Sequence, residues 1–239
     1  MSYLSLMGFG PDGWGPAMLV ATLMTVAVAA AGYAFGLGIG SLAAAAKLSR
    51  SKALRRLAEV YTTVFRGVPD LLIIYLFYYG SSGFLTAMGG WFGADGFIGA
   101  PAFLIGALGI GVISGAYQTE VLRGAYLALA PGELEAARAI GMSGPLMFRR
   151  IIAPQALRFA IPGMGNVWQL ALKESALISV TGLVELMRQA QIGAGSTRQP
   201  FSFYLTAGLL YLVITVVTSW GFRKLEARSQ RGVRSASWA

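Results

Sequence analysis

Residues 130–157 read APGELEAARAIGMSGPLMFRRIIAPQAL and form the longest charged interruption in an otherwise apolar sequence. Pro131 suits the first turn of a helix, and Glu133 and Glu135 place carboxylates near its positive N-terminal end. The alanines that follow favour helix. Gly141 predicts where this helix ends, because glycine adopts left-handed geometry without a steric penalty.

A second short helix is predicted in the same stretch. Ser143 is a suitable cap and Pro145 a suitable first-turn residue, and the helix is expected to run through Ile152. Pro154 should end or redirect it, since proline lacks the backbone N–H. A helix–corner–helix between apolar spans is typical of a segment that docks into a partner. The alternative is an interfacial amphipathic hairpin that has no partner.

The composition indicates a membrane protein. Hydrophobic residues make up 56% of the chain and charged residues only 12%, whereas soluble domains carry about 25% charged residues. A helix needs about 20 apolar residues to cross the bilayer core. We therefore predict an all-α polytopic fold in a single domain, 1–239. Its five transmembrane helices are expected at 17–46, 57–79, 100–122, 159–184 and 201–222.

The net charge of +9 is an orientation signal in this sequence. Most of the Lys and Arg residues fall in three groups, at 47–56, 123–158 and 223–234, each beside an apolar span. The positive-inside rule places all three groups in the cytoplasm. The N-terminus and the segments 80–99 and 185–199 are then outside, although the apolar start of the last segment could re-enter the membrane. Because the Lys and Arg residues cluster beside apolar spans, they argue against nucleic-acid binding. They are suited to a protein surface that faces anionic lipid head groups.

Several classes of chemistry are excluded by residue types that the sequence lacks. The chain has no Cys and no His, so thiol nucleophiles, Ser-His-Asp triads and His- or Cys-ligated metals are impossible. No G-x-x-x-x-G-K-[ST] loop occurs, so ATP hydrolysis by that route is excluded. We predict no catalytic, cofactor-binding or metal-binding residues, and a chain that is not an enzyme.

Gly32, Gly36 and Gly40 recur at every fourth position of the first span. Such a stripe of small residues allows a second helix to approach closely. An equally open interpretation is a set of small residues with no dedicated partner helix.

The charged stretch resembles the EAA loop of permease subunits in bacterial ABC importers. The residues that match the family pattern are Glu135, Ala136, Ala137, Gly141, Ile151 and Pro154. The sequence departs from the pattern at Ala153, where the family has Leu. Residues 61–80, 115–132 and 166–186 are similar to the polar-amino-acid branch, especially its histidine, basic-amino-acid and opine members.

This resemblance implies a multi-pass subunit of the bacterial inner membrane that imports histidine, arginine, lysine, ornithine or opines. The loop 130–157 would insert into one of two partner ATPases, which bind ATP and Mg²⁺, so that this chain binds no cofactor. The other implied partners are a periplasmic substrate-binding protein, the lipid membrane and a second permease chain, either a copy or a paralogue.

Ionisable residues inside the spans need a partner or a function, because each costs at least about 2.5–3.5 kcal/mol to insert. Pro69 predicts a kink or break near Arg66. Arg66 lies four residues before Asp70, so the two could pair on one helix face. The other interpretation of Asp70 is a carboxylate for a cationic substrate, as the resemblance around RGVPD implies.

The remaining intramembrane charges lie in the third and fourth spans. Glu120 could pair with Arg123, whereas the adjacent Lys173 and Glu174 should point about 100° apart on a helix. We predict a gate or substrate contact around the fourth span. The candidate residues are Asp70, Glu120, Gln169, Lys173, Glu174 and Ser175.

Two other functions are weighed against the importer subunit. An ion-coupled secondary transporter or channel could use Asp70 and Glu120, although such folds commonly contain inverted repeats and no repeat is evident here. A membrane-embedded enzyme would need a nucleophile elbow such as G-x-S-x-G, which is absent.

Overall fold

The computed structural model of the chain describes residues 3–11, 13–91, 99 and 101–230. The regular secondary structure of these residues is helical throughout, with no strand, in agreement with the all-α prediction. Residues 92–98 of the predicted outer segment 80–99, and the basic residues Arg231 and Arg234, lie outside the described residues.

The helices follow one another along the chain with short connections. They are α1 (Tyr3–Leu6), α2 (Gly15–Leu48), α3 (Lys52–Gly67), α4 (Asp70–Trp91), α5 (Ala102–Leu127), α6 (Pro131–Ala139), α7 (Gly144–Met147), α8 (Ala153–Glu174), α9 (Leu186–Thr197) and α10 (Pro200–Ser229). A π-helical turn, Phe148–Ile152, joins α7 to α8, and a 3₁₀ segment, Ser175–Thr181, continues α8.

The contact between α2 and α5 is built on glycine. A Cβ atom on Gly32 would lie 2.7 Å from the side chain of Ile110, and a Cβ on Gly36 would lie 2.8 Å from the carbonyl oxygen of Gly111. Both separations are shorter than a side chain tolerates. The two backbones therefore approach closely because these residues have no side chain, which confirms the predicted contact stripe.

Helix α5 contributes its own glycines to the same contact. A Cβ on Gly111 would lie 3.0 Å from the carbonyl oxygen of Gly32, and a Cβ on Gly115 would lie 3.0 Å from that of Gly36. Gly40 continues the stripe, where a Cβ would lie 3.0 Å from the carbonyl oxygen of Gly115. Residue numbers rise together along the two helices, so α2 and α5 run parallel.

Helix α8 runs opposite to both α5 and α10. The contacting pairs are Gly163 with Val121 and, in the 3₁₀ segment, Ile178 with Gly106 across α5, and Gly165 with Phe222 and Gln169 with Ser219 across α10. Residue numbers rise along α8 while they fall along each neighbour. Helices α2, α5 and α10 consequently share one direction, and α8 has the opposite one.

Pro69 breaks the predicted second span completely. Val68 is extended, with φ −90° and ψ 140°, as the residue before a proline prefers to be. Helix α4 then begins at Asp70, and its axis makes an angle of 107° with α3. The kink predicted near Arg66 is confirmed, and it is a full change of helix direction.

Of the two outcomes predicted for Pro154, an end or a redirection of the second helix of the hairpin, the end is wrong. The helical backbone continues from α7 through the π-helical turn into α8, and Pro154 lies in the first turn of α8. The N–H of Ala153 donates to the carbonyl oxygen of Phe148 across the widened turn. This wider turn accommodates a residue that has no N–H and a bulky ring.

The predicted outer segment 185–199 is mostly the helix α9, and it packs inside the protein. Leu186 and Ala190 are fully buried in one cluster with Phe203 of α10 and Met18 of α2. The segment is thus a structural element of the core.

The surface of the described helices is apolar in the manner of a membrane protein. Helices α2, α5 and α10 are long and apolar enough to cross a bilayer, and the bent pair α3–α4 would provide a fourth span. The segment 159–184, expected to be the fourth of the five spans in chain order, is divided between α8 and the 3₁₀ segment. Leu23 on α2 and Trp220 on α10 are exposed, as lipid-facing residues would be.

The α2–α5 contact gives the first testable prediction. Gly36→Ala should lower the thermal unfolding temperature in detergent, because its Cβ would clash with backbone atoms of α5, and overpacking of this kind costs about 1–3 kcal/mol. Gly38→Ala is the matched control, since a Cβ at Gly38 meets nothing within 4 Å. Equal unfolding temperatures for the two variants would contradict the contact.

Candidate functional site

Asp70 and Glu174 meet between α4 and α8. Their carboxyl groups approach each other closely, although the residues are far apart in sequence. Glu174 is only 3% exposed, and neither of its oxygens accepts a hydrogen bond from a donor among the described residues. A carboxylate that is buried without a cationic partner loses its hydration uncompensated, and neither Glu174 nor the half-buried Asp70 forms an ion pair among the described residues. A cationic group placed between them would be stabilised.

The break at Pro69 explains why Asp70 takes this position. On a continuous helix Asp70 would share a face with Arg66, but α3 ends at Gly67 and α4 runs at 107° to it. The predicted Arg66–Asp70 pair is therefore wrong: the ion pairs among the described residues both involve Glu120.

Arg66 instead lies over the ring of Tyr117 on α5. The guanidinium carbon is 5.2 Å from the ring centroid, within cation–π range. Tyr117 is also within electrostatic range of Asp70 and Glu174. The site thus combines two carboxyls, one guanidinium and one phenol, which come from α3, α4, α5 and α8.

The fourth-span candidates are distributed over different surfaces. Lys173 is exposed while the adjacent Glu174 is buried, which confirms that they point apart. The Ser175 hydroxyl donates to the carbonyl oxygen of Leu172 at 2.6 Å. The Gln169 amide donates to the Ser219 hydroxyl at 3.0 Å, so Gln169 joins α8 to α10.

Glu120 is neutralised by two cations. Arg123 donates to its carboxylate at 3.0 Å, which confirms the predicted pair, and Lys47 from the end of α2 makes a second ion pair with it. A cavity of about 380 Å³ lies beside this ion cluster and is also lined by Arg66 and Tyr117. Glu120 therefore borders the same polar cavity as the aromatic–guanidinium contact.

The charged hairpin presents its helix α6 to solvent. Glu135 and Ala136 are exposed, whereas Ala137 is buried. Gly141 has φ 76° and ends α6 as predicted, and the N–H of Met142 donates to the carbonyl oxygen of Ala137 at 3.1 Å. This left-handed residue sets the angle between the two arms of the hairpin.

The tip of the hairpin has uncovered apolar side chains. Ile140 is 76% exposed and Phe148 is 60% exposed, while Ile151 is half-buried. Glu133 accepts a hydrogen bond from Gln155, which holds α6 against the start of α8. The hairpin is thus a braced projection whose exposed end is partly apolar.

Glu185 is a structural residue that sequence reasoning missed. It is fully buried, and its carboxylate accepts the N–H groups of Met187 at 2.8 Å and Arg188 at 2.7 Å, which caps α9. The hydroxyls of Tyr211 and Thr25 also donate to it, at 3.2 and 3.4 Å. One carboxylate therefore joins α2, α9 and α10.

An acidic residue just before a helix is a recognisable cap signal, so the local role of Glu185 could have been read from the sequence. Its burial could not, because Thr25 lies 160 residues away in the chain. Among the described residues no group of three or more His, Cys, Asp or Glu side chains is placed to hold a metal ion.

Comparison with known proteins covers nearly the whole chain. A family described as binding-protein-dependent transport system inner membrane component matches residues 36–231. The octopine transport system permease protein of Rhizobium meliloti is 66% identical over 98% of this chain and 99% of its own length. The nopaline transport system permease protein of Agrobacterium fabrum is 54% identical, over 97% of this chain and 99% of its own length.

More distant relatives agree with this result. The histidine/lysine/arginine/ornithine transport system permease protein of Salmonella typhimurium is 38% identical over 94% of this chain and 98% of its own length. A crystal structure of an amino acid ABC transporter with histidines matches with a TM-score of 0.79 and 31% identity, covering 95% of this chain and 99% of that one. An inward-facing methionine ABC transporter, at 18% identity and a TM-score of 0.69 over 90% of this chain and 97% of that one, shares the fold.

The buried Glu185 network gives the second prediction. Glu185→Ala should lower the free energy of unfolding by at least about 3 kcal/mol, because it leaves several buried donors unsatisfied at about 1–3 kcal/mol each. Glu185→Gln keeps an acceptor oxygen and should lose less than half as much. Denaturant unfolding of the detergent-solubilised chain measures both, and equal losses in the two variants would contradict the network.

Proposed function

Because the chain belongs to the family of binding-protein-dependent transport system inner membrane components, we propose that it is a permease subunit for cationic amino acids or opines. The observation that carries the substrate class is the approach of the half-buried Asp70 to the buried Glu174, two carboxyls that form no ion pair with Lys or Arg among the described residues. The relatives whose names specify octopine, nopaline or histidine, lysine, arginine and ornithine support it. Each of these compounds carries a group that can be cationic.

The site would hold the substrate by charge complementarity. The cationic group would lie between Asp70 and Glu174, where it offsets their mutual repulsion. Arg66 stacks on Tyr117 and has no carboxylate partner among the described residues, so its guanidinium would receive a substrate carboxylate. Glu120 is already neutralised by Lys47 and Arg123, and its part would be to line the path rather than to bind the cation.

The topology that we propose has five crossings, with the N-terminus outside and the C-terminus in the cytoplasm. The directions of the helices support this topology. Helices α2, α5 and α10 run parallel, so the chain must cross back once between α2 and α5 and once between α5 and α10. Helix α4 of the bent pair provides one return, and α8 with its 3₁₀ segment provides the other. Basic residues at 47–56, 123–158 and 223–234 then all lie inside.

The partners follow from the transport mechanism of this family. An ATPase dimer would bind ATP and Mg²⁺ and receive the exposed hairpin, a periplasmic protein would deliver the substrate, and a second permease chain would complete the passage. The hairpin is suited to transmit motion, because α7 and the π-helical turn are continuous with α8. A displacement of the hairpin by the ATPase would reach Glu174 along one helical path. The chain itself would perform no chemistry.

The third prediction concerns the substrate pair. Glu174→Gln, and separately Asp70→Asn, should reduce uptake of arginine at least about tenfold in proteoliposomes with the ATPase and binding protein, because losing one partner of a buried charge contact commonly costs more than 1.4 kcal/mol. Citrulline, the uncharged isostere, should be affected much less. Glu59→Gln is the control, an exposed carboxylate on α3. Equal losses for arginine and citrulline would contradict the assigned role.

The fourth prediction concerns coupling through the hairpin. Gly141→Leu should leave membrane insertion intact but uncouple ATP hydrolysis from uptake, because a branched side chain is strained at φ 76°. Gly141→Asn should retain most of the coupling, since asparagine tolerates left-handed geometry. The ratio of substrate imported to ATP hydrolysed measures this effect. Normal coupling in Gly141→Leu would count against docking of the hairpin into the ATPase.

A further inference from the structure

Helix α3 has one side that packs on the protein. Ala58 and Thr62 are buried there, and the Tyr61 hydroxyl donates to the carbonyl oxygen of Val112 in α5 at 2.7 Å. These contacts fix the rotation of α3 about its axis, so the orientation of its other residues is determined.

A second side of α3 is apolar and uncovered. Its residues recur at three- and four-residue spacing, as one face of a helix requires. They are Leu54, Leu57, Val60 and Val64. Leu57 is 69% exposed, which is unfavourable for a large aliphatic side chain in water.

The third side of α3 is basic. Lys52, Arg55 and Arg56 are exposed and make no ion pair among the described residues. The only acidic residue of this helix is Glu59. The positive charge is therefore not neutralised within the described part of the protein, and it adjoins the uncovered apolar side.

The position of α3 places these two sides at a membrane surface. Its axis lies at 107° to α4, so when α4 crosses the bilayer α3 runs nearly along the membrane plane. It lies beside the Lys47–Glu120 ion pair, which joins the end of α2 to α5, because Thr63 and Arg66 line the same cavity as that pair.

We propose that α3 is an interfacial helix that binds anionic phospholipids, with its apolar side among the acyl chains and its basic side at the head groups. Amphipathic helices with basic polar faces bind bilayers in this manner, and each Lys or Arg near an anionic surface adds attraction. The topology proposed above places α3 at the cytoplasmic leaflet, and the test of lipid contact does not depend on which leaflet is bound.

Charge favours lipid over a second copy of the chain as the occupant of this surface. A copy meeting α3 through the same face would bring the same three basic residues and only one carboxylate, Glu59, so that like charges would accumulate. An anionic head group supplies the missing opposite charge without a further protein contact.

The absence of cysteine from the chain makes the contact directly measurable. In the experiment, a fluorophore is attached to a single introduced cysteine, either Leu57→Cys or Thr63→Cys. Each labelled full-length chain is then reconstituted in nanodiscs. The label at Leu57→Cys should be quenched by a lipid-borne quencher and the label at Thr63→Cys by iodide, since the two residues lie on different sides of α3. Protection of Leu57→Cys from both quenchers would show a protein-covered face, and quenching by iodide alone would show a face in water. Either result overturns the proposal.

The charge requirement is tested in the same system. A quencher carried on phosphatidylglycerol should quench the label at Leu57→Cys more strongly than one carried on phosphatidylcholine. The triple variant K52Q/R55Q/R56Q should lose this preference, because each basic residue removed lowers the relative affinity for the anionic lipid about fivefold. The matched control R223Q/K224Q/R228Q removes equal charge from α10 and should keep the preference for phosphatidylglycerol at Leu57→Cys. A preference that persists in the triple variant, or falls equally in the control, overturns the proposal. The readout uses neither substrate nor ATP, so its failure is distinct from failure of the transport role.

Discussion

The architecture depends on the close parallel contact between α2 and α5. Glycines on both helices let each backbone touch the carbonyl oxygens of the other, from Gly32 opposite Ile110 to Gly40 opposite Gly115. In a bilayer, helices gain little from excluding water and associate through close packing. Two neighbouring helices with the same direction require a connection that crosses back, and the bent pair α3–α4 occupies that position. The contact thereby constrains the course of the chain between α2 and α5.

The broken helix then creates the candidate site. A continuous second span would have left Asp70 beside Arg66, and the two charges would have neutralised each other. The proline break turns α4 away, brings Asp70 against Glu174, and leaves Arg66 over Tyr117. Broken helices are tolerated inside membranes where their backbone is protected by protein or lines a cavity. The incompletely paired part of the structure is the part to which substrate binding is assigned.

Glu185 and Glu174 show how differently two buried carboxyls can be used. Glu185 accepts hydrogen bonds from two backbone N–H groups and two hydroxyls, so it is satisfied and holds three helices together. Glu174 lacks such donors and faces another carboxyl. Buried polar groups are normally hydrogen-bonded, so the exception marks a place where a ligand would complete the structure.

The sequence by itself determined the class of the protein, the apolar spans that became α2, α5 and α10, the break at Pro69, the end of α6 at Gly141 and the membership in a transport family. These features follow from local rules: apolar run length, charge beside each span, and the backbone preferences of proline and glycine. Only the tertiary structure decided that Asp70 meets Glu174, that Glu120 also binds Lys47, that Glu185 is buried, and that Pro154 lies within a continuous helical path. Those outcomes depend on which residues distant in the chain come together, and the spacing of residues along one helix carries no information about its neighbours.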